Sequence, residues 1–390
     1  MSNSHHITAA LLAFLFFFIS FVSLFHPSSS QYLSPPPPSN FNPRLQQAYI
    51  ALQAWKHSIT DDPKNLTADW CGPHVCNYTG VFCAPSPSDP SLLVVAGIDL
   101  NHGKIAGCLP EDLGLLSDLA LFHINSNRFA GRLPDSFKNL ELLFELDVSN
   151  NRFSGPFPSV VLRLPALRYL DIRFNGFDGG IPDELFDLKL DAIFINNNKF
   201  QAASIPANLG NSPVSVVVLA NNRLGGCLPR NLSKMATTLQ EIILSNAGLT
   251  TCLPPELGAL KNVTVFDVSF NSLAGPLPPE IGEMKSLQQL NVAHNQLSGA
   301  IPASICGLPK LENFTYSYNY FCEEPAMCLK LKNKDDRKNC IPGRPLQRPE
   351  DECSAFLSHP VHCDVFGCFS SSPAPAPLLS APPPPYYYKP

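Results

Sequence analysis

Charge is scarce in this sequence: Asp, Glu, Lys and Arg together make up 15% of 390 residues, against 45% hydrophobic. The imbalance is small as well, 27 basic against 32 acidic residues and a net charge of -5. No basic stripe runs through the chain, which excludes nucleic acid as its main partner. Long apolar runs are missing too, apart from AALLAFLFFFISFVSLF (Ala9 to Phe25), which is followed by the small residues Ser28 to Ser30. That run is read as a secretory signal peptide over 1–30, although its flank carries His5 and His6 in place of Lys or Arg. No second run of bilayer-spanning length follows, so the expectation is an exported protein and not a membrane receptor.

What is abundant is proline (40) and cysteine (13), both unevenly placed, and one recurring pattern. LDVSNNRFSGPFP (Leu146 to Pro158) returns as LNVAHNQLSGAIP (Leu290 to Pro302). With the Asn of each copy as origin, the equivalent positions are Gly103, Asn127, Asn151, Asn175, Asn198, Asn222, Ala247, Asn271, Asn295 and Asn319. Successive steps are 24 residues, with a single 23 and a single 25. A constant step of this length in the frame LxxLxLxxNxLxGxIP is the signature of an α/β solenoid of leucine-rich repeats, here about ten over 92–321.

Each part of the frame has a physical task. Apolar residues five and three before the origin alternate at period two, which predicts a short strand with one buried face. The origin Asn side chains can satisfy turn backbone groups and stack into a ladder. Parallel strands about 4.8 Å apart then give a concave sheet roughly 45 Å long, suited to an extended ligand or a protein.

The flanks divide further. A proline-rich linker covers 31–42, with SPPPP at Ser34 to Pro38. From 43 to 91, the helical spacing of Leu45, Ala48, Tyr49, Leu52 and Trp55, followed by cysteines, reads as an N-terminal cap over the first edge of the solenoid. After the repeats, 322–368 holds Cys322, Cys328, Cys340, Cys353, Cys363 and Cys368, with Cys306 just upstream. This hinge has too few apolar residues for a core and depends on disulfides. The segment between Lys330 and Arg348 carries seven basic residues against Asp335 and Asp336, a patch that would attract acidic polysaccharide. His359, His362, Cys363 and Cys368 have the donor types of a zinc site, but an oxidising compartment favours disulfides, and no metal or cofactor is assigned. The tail over 369–390 ends in PPPPYYYKP; it lacks the means to form a core and is expected to be extended, with Tyr386, Tyr387 and Tyr388 as candidates for oxidative cross-linking.

Cys227 and Cys252 occupy equivalent places on neighbouring rungs, five residues after their origins, and are expected to pair. Cys71 and Cys108 either pair with each other or stay separate. Because thirteen is odd, at least one cysteine is free or joins another chain, and Cys71 is the candidate for a disulfide-linked homodimer, with intrachain pairing as the alternative. Sequons begin at Asn65, Asn77, Asn231, Asn262 and Asn313, each a glycan acceptor after export.

On the concave face, residues four before each origin should point outward, together with some at six and two before. The early rungs offer Glu145, Asp147 and Asp171 beside Tyr169, and the next offer Phe194, Val218 and Ile243. An acidic patch beside an exposed apolar strip suits a cationic, amphipathic peptide. Asp147 and Asp171 on adjacent rungs also have the separation of paired glycosidase carboxylates. A flat sheet, however, should offer no pocket to desolvate one of them, so the chain is read as non-enzymatic.

The order of repeats, cysteine-rich hinge and PPPPYYYKP tail resembles the leucine-rich repeat extensins of plant cell walls, and the cap DWCGPHVCNYTGVFCAP resembles theirs closely. The C-x6-C element CNYTGVFC implies a disulfide between Cys76 and Cys83. The resemblance further implies a secreted wall protein that binds basic, cysteine-containing peptides of the rapid alkalinization factor type, forms disulfide-linked dimers and is held in the wall by a hydroxylated, glycosylated extensin part. The tail departs from the family pattern, with one APPPP and no SPPPP after the repeats. The rival reading is a wall-located inhibitor resembling polygalacturonase-inhibiting proteins, which also use about ten such repeats.

Overall fold

The computed structural model describes residues 42–359 together with 361 and 363. The signal sequence, nearly all of the linker, His362, Cys368, and the tail with Tyr386, Tyr387 and Tyr388 lie outside the described residues. None of the described helices is long and apolar enough to cross a membrane.

A twelve-stranded sheet forms the concave wall. Its strands are three residues long in most rungs, because an apolar residue five before the origin is all that each must bury on this side: Leu146, Leu170 and Leu290 sit at the centres of their strands with no exposed surface. Pairing is parallel and in register from rung to rung, Glu145 opposite Tyr169 and Asp147 opposite Asp171. The return path on the convex side runs through short 3-10 turns such as Asp135–Asn139 and Asp183–Asp187, each entered from a proline. A flank of short strands joins the two walls; it is six-stranded early and three-stranded late.

The origin asparagines form the expected ladder. Asn151 donates from Nδ2 to the carbonyls of Ile124 and Val148, at 2.9 and 3.1 Å, and its Oδ1 accepts from Phe129 N–H at 3.0 Å. Each amide thus ties its own turn to the preceding one. At Ala247 the amide is missing, and Asn271 Oδ1 compensates by accepting from both Ala247 and Leu249 N–H.

The repeat runs one rung further than the sequence reading placed it. Asn333–Asp335 pairs with Asn313–Thr315 as another parallel strand. Asn339 holds the origin position, donating to Tyr316 and Asp336 carbonyls and accepting from Phe321 N–H. The rung was hidden because Asn339 follows Asn319 by only 20 residues, the convex loop having been shortened.

At the N-terminal end, the helix Pro43–Ser58 starts on Asn42, whose Oδ1 accepts from Arg44 and Leu45 N–H, and buries Ala48, Ala51, Leu52 and Trp55. Trp55 meets Trp70, Phe122 and Phe129 with ring centres 5.6–5.7 Å apart, welding cap to first rungs. The strand Val81–Pro85 runs antiparallel to Leu93–Asp99 and terminates the sheet. Cys76 and Cys83 are joined, with Cα atoms 5.5 Å apart.

Further pairings among the described residues are Cys306 with Cys328, Cys340 with Cys353, and Cys252 with Cys363. The last corrects the expected pair of Cys227 with Cys252. Both cysteines stand where the flank sheet is interrupted, and the chain following the helix Glu350–Leu357 returns to this gap and takes the Cys252 sulfur. Cys227 is itself disulfide-bonded. Bonded Cys363 is no thiolate ligand, and the described residues contain no cluster suited to a metal ion. Cys71 and Cys108 are exposed free thiols and Cys322 is a half-buried one.

The basic patch is also corrected. Lys334 and Arg344 turn inward onto Glu324 and Asp336, with Lys334 Nζ 3.2 Å from Glu324 and 2.5 Å from Asp336. Arg337 pairs with Asp335 and Arg348 with Glu352. Most of the segment's positive charge is spent holding the C-terminal cap together.

Candidate functional site

The concave wall brings the expected residues onto adjoining strands. Glu145 and Asp147 lie on one rung, Tyr169 and Asp171 on the next, and Phe194, Val218 and Ile243 continue the second column in register. Their environments differ from the expectation in two places.

First, the aspartates four before each origin are partly committed to the fold. Asp147 Oδ1 accepts from Ser149 N–H at 2.9 Å, and Asp171, Asp267 and Asp335 make the same contact to the residue two further on. One carboxylate oxygen caps a strand end and the other is held by a neighbouring side chain: that of Asp147 accepts from Asn125 Nδ2 at 3.0 Å, that of Asp267 from Asn291 Nδ2 at 3.1 Å and that of Asp335 from Arg337, while that of Asp171 faces Arg173.

Second, Asp171 and Phe194 are not open surface. Asp171 has no exposed area and Phe194 has 6%. The Tyr169 ring packs 5.4 Å from that of Phe194, and the Arg173 guanidinium lies 5.1 Å above Phe194 with its Nε 3.0 Å from Asp171 Oδ2. The curvature of the sheet crowds these side chains together, so Arg173 roofs what the sequence suggested was an exposed acidic and apolar strip. Burial, reinforced by Asp147, pushes the Asp171 carboxyl well above its usual range, against the pull of Arg173. The expectation that no carboxyl here would be desolvated is therefore corrected. The shifted group is sealed beneath Arg173, out of reach of any substrate on the face. Burial and the neighbouring carboxylates likewise raise the Tyr169 phenol.

What remains accessible is a graded floor. His123 Nε2 sits 3.1 Å from Glu145 Oε2, with Asp99 and Asp147 nearby. Burial lowers the imidazole's affinity for a proton, but the hydrogen bond to Glu145 and the charges of Glu145, Asp147 and Asp99 outweigh it, leaving His123 raised. Beyond lie Arg173, then half-buried Val218 and Ile243, with Glu241 raised by burial beside them. A shallow recess of about 520 Å³ lies on the convex side between Ser233 and Glu283, away from this wall.

The sequons divide by environment. Asn65, Asn77 and Asn262 are exposed, whereas the Asn231 amide is half-buried and Asn313 stands in the concave sheet, six before its origin. Sequence reasoning did not single out the column one residue before each origin, where Phe270, His294 and Tyr318 stack. Its signal was legible: aromatic side chains at a fixed repeat offset on consecutive rungs.

Comparison with known proteins follows the same lines. Residues 45–84 match the family described as "Leucine rich repeat N-terminal domain", and 142–164, 166–188 and 286–308 match "Leucine Rich Repeat". Leucine-rich repeat extensin-like protein 6 of Arabidopsis thaliana is 68% identical over 328 residues, covering 84% of this chain and 70% of that protein. Leucine-rich repeat extensin-like protein 4 is 62% identical, covering 87% and 69%. Leucine-rich repeat extensin-like protein 2, 56% identical, is matched over only 44% of its own length. Among solved structures, the Arabidopsis receptor kinase HAESA, in complex with the peptide hormone IDA and the co-receptor SERK1, superimposes with a TM-score of 0.67 at 28% identity, over 75% of this chain and 50% of that one. The plant peptide hormone receptor RGFR1 in complex with RGF2 gives 0.55 at 25%, over 63% and 44%. On its repeats, its cap and its identity to these relatives, the chain belongs to the leucine-rich repeat extensin-like family.

Proposed function

We propose that this is a secreted, non-enzymatic cell-wall protein whose concave face captures a basic, cysteine-containing signalling peptide of the rapid alkalinization factor type, coupling it to wall assembly and growth. The observation that carries the reading is the graded floor: Asp99, Glu145 and Asp147 supply negative charge around His123 at one end, half-buried Tyr169, Val218 and Ile243 supply apolar surface next to it, and Phe194 lies beneath Arg173 between them. A cationic ligand is drawn in by the first and desolvated by the second. The likeness to receptor ectodomains that hold peptide hormones supports the use of this wall for peptides. Within this proposal Arg173 is a gate, since it must swing from Phe194 for an apolar side chain to reach that ring. A homodimer through exposed Cys71, and attachment to pectin or other wall polysaccharide through the exposed Lys330, Lys332 and Lys338, complete the proposal.

Titration calorimetry against a panel of basic secreted peptides tests it. Binding should weaken about tenfold in Glu145→Gln with Asp147→Asn, a pair that removes charge while Asn keeps the cap on Ser149. Absence of heat with every peptide, or unchanged affinity in the pair, overturns the reading. Asp171 is unsuitable for such a test because it is buried. Cys71→Ser decides the dimer by non-reducing electrophoresis: wild type should run as a dimer and the variant as a monomer.

A further inference from the structure

Phe270, His294 and Tyr318 stand one residue before the origin on three consecutive rungs and stack face to face, ring centres 4.2 and 4.1 Å apart and planes within 12°. All three hold left-handed backbone, φ 55, 55 and 59°. The fold imposes this conformation on the whole column, and Asn197, Asn221 and Asn246 occupy it on the three preceding rungs. Asn adopts it with less strain than a bulky ring and is more soluble. Replacing Asn by rings therefore worsens both backbone and surface. Nor is there a packing gain inward, since Phe270 is 55% and Tyr318 37% exposed. Strain together with exposed apolar area on successive rungs marks a contact surface.

We infer that this rail docks a proline-rich strand in the polyproline II conformation, and specifically the run Pro382–Pro385 that this chain carries. Three observations select that occupant. A polyproline II turn advances about 9.3 Å, and two rungs advance about 9.6 Å along the backbone, so the four-residue run spans one turn and sets Pro382 and Pro385 at the two rungs of Phe270 and Tyr318. Such a strand makes no internal hydrogen bonds and needs donors for its carbonyls; the Tyr318 hydroxyl, the His294 ring and the second N–H of Asn246, whose first goes to Asn221 Oδ1, stand on this column. Aromatic ridges are the usual seat of proline-rich strands. Third, the tail is anchored on the same rung as Phe270: Cys363 is bonded to Cys252 and lies against Gly275, five residues after Phe270, where a Cβ would come within 2.5 Å of its sulfur. From Cys363, the residues leading to Pro382 can extend roughly 60 Å, ample to bring the run back along the rungs.

The test uses the full chain with Pro382–Pro385 replaced by Ser, so that no internal strand competes, and a labelled peptide SAPPPPYYYKP read by fluorescence anisotropy. Binding is expected, at least tenfold tighter than for the same peptide with Ser-Gly in place of its prolines. It should fall at least tenfold in Phe270→Asn with Tyr318→Asn, whose Asn residues relieve backbone strain, so thermal stability should hold or rise. The unsubstituted chain should bind the peptide more weakly than the Ser-substituted one, its own run competing. Equal binding of both peptides, or unchanged binding in the Asn variant, overturns the inference. A neutral β-glucan oligosaccharide bound at the rail, with the peptide ignored, overturns it in favour of a glycan surface.

Discussion

Arg173 Nε lies 3.0 Å from a carboxylate oxygen of Asp171 that is sealed from solvent. This ion pair sets the depth of the concave floor, because the same guanidinium covers Phe194.

Removing the guanidinium should therefore have two separable effects. Arg173→Ala leaves Asp171 buried without its counter-charge, and stability should fall by about 1–3 kcal/mol at pH 7. Asp171 already binds its proton more tightly in the folded state than in the unfolded one, and losing Arg173 strengthens that tendency. A raised folded-state pKa costs stability as pH climbs above the unfolded value, so the deficit should shrink toward pH 4. Denaturant melts across that range check it, and a pH-independent deficit would assign the loss to packing alone.

His123 provides a signed pH dependence of its own. Its folded pKa is raised, chiefly by Glu145 against the opposing effect of burial. The stabilisation is complete below the unfolded value and is lost as pH rises through the folded one. Stability should thus decline from pH 6 to 8, and His123→Gln should flatten that slope. Asp99 and Asp147 share the field, so Asp147→Asn with His123 retained should reduce the slope only in part.

The link from Cys252 to Cys363 closes a loop with a sequence separation of 111. Cys363→Ser should lower stability by about 2–4 kcal/mol through restored freedom of the unfolded chain. Peptide mapping without reduction should recover Cys252 with Cys363 and never with Cys227. A Cys227 to Cys252 fragment in the native protein would refute the assignment.

Glycan occupancy should follow side-chain environment. Asn65, Asn77 and Asn262 are exposed and should be occupied. Asn231 donates to Ala207 O at 2.6 Å and its Oδ1 is buried, so a sugar there would break the turn; it should be found unmodified. At Asn313 a glycan would cover the late rungs of the concave sheet and confine ligands to the early ones. Glycopeptide mass spectrometry reads all five sites.

The solenoid, its cap and the columns of the concave wall were legible because period and alternation are properties of sequence spacing. Burial of Asp171 was not, since it depends on how curvature crowds Tyr169, Arg173 and Phe194 together, and spacing carries no curvature. The rung at Asn339 escaped because its convex loop is short, which broke the step while leaving the amide's bonds intact. Cys252 was misassigned for a related reason: neighbouring rungs make a pair geometrically reasonable, but a segment distant in sequence competes for the same sulfur. That Lys334 and Arg344 turn inward was hidden because one of the two acids they meet, Glu324, lies outside the segment from Lys330 to Arg348, and a charge count cannot show that the other, Asp336, is buried between them.

The side-chain amides that clip each coil to the one before carry a mechanical implication. A stretching force applied along the stack passes through those clips in series, and a series fails at its weakest member. Gly103 and Ala247 are the origin positions without an amide; the coil of Gly103 is backed by the N-terminal cap, so the weak member is the coil of Ala247, where Asn271 alone serves two backbone donors. Pulled from its ends in a force spectrometer, the protein should part there first, and Ala247→Asn should raise the rupture force.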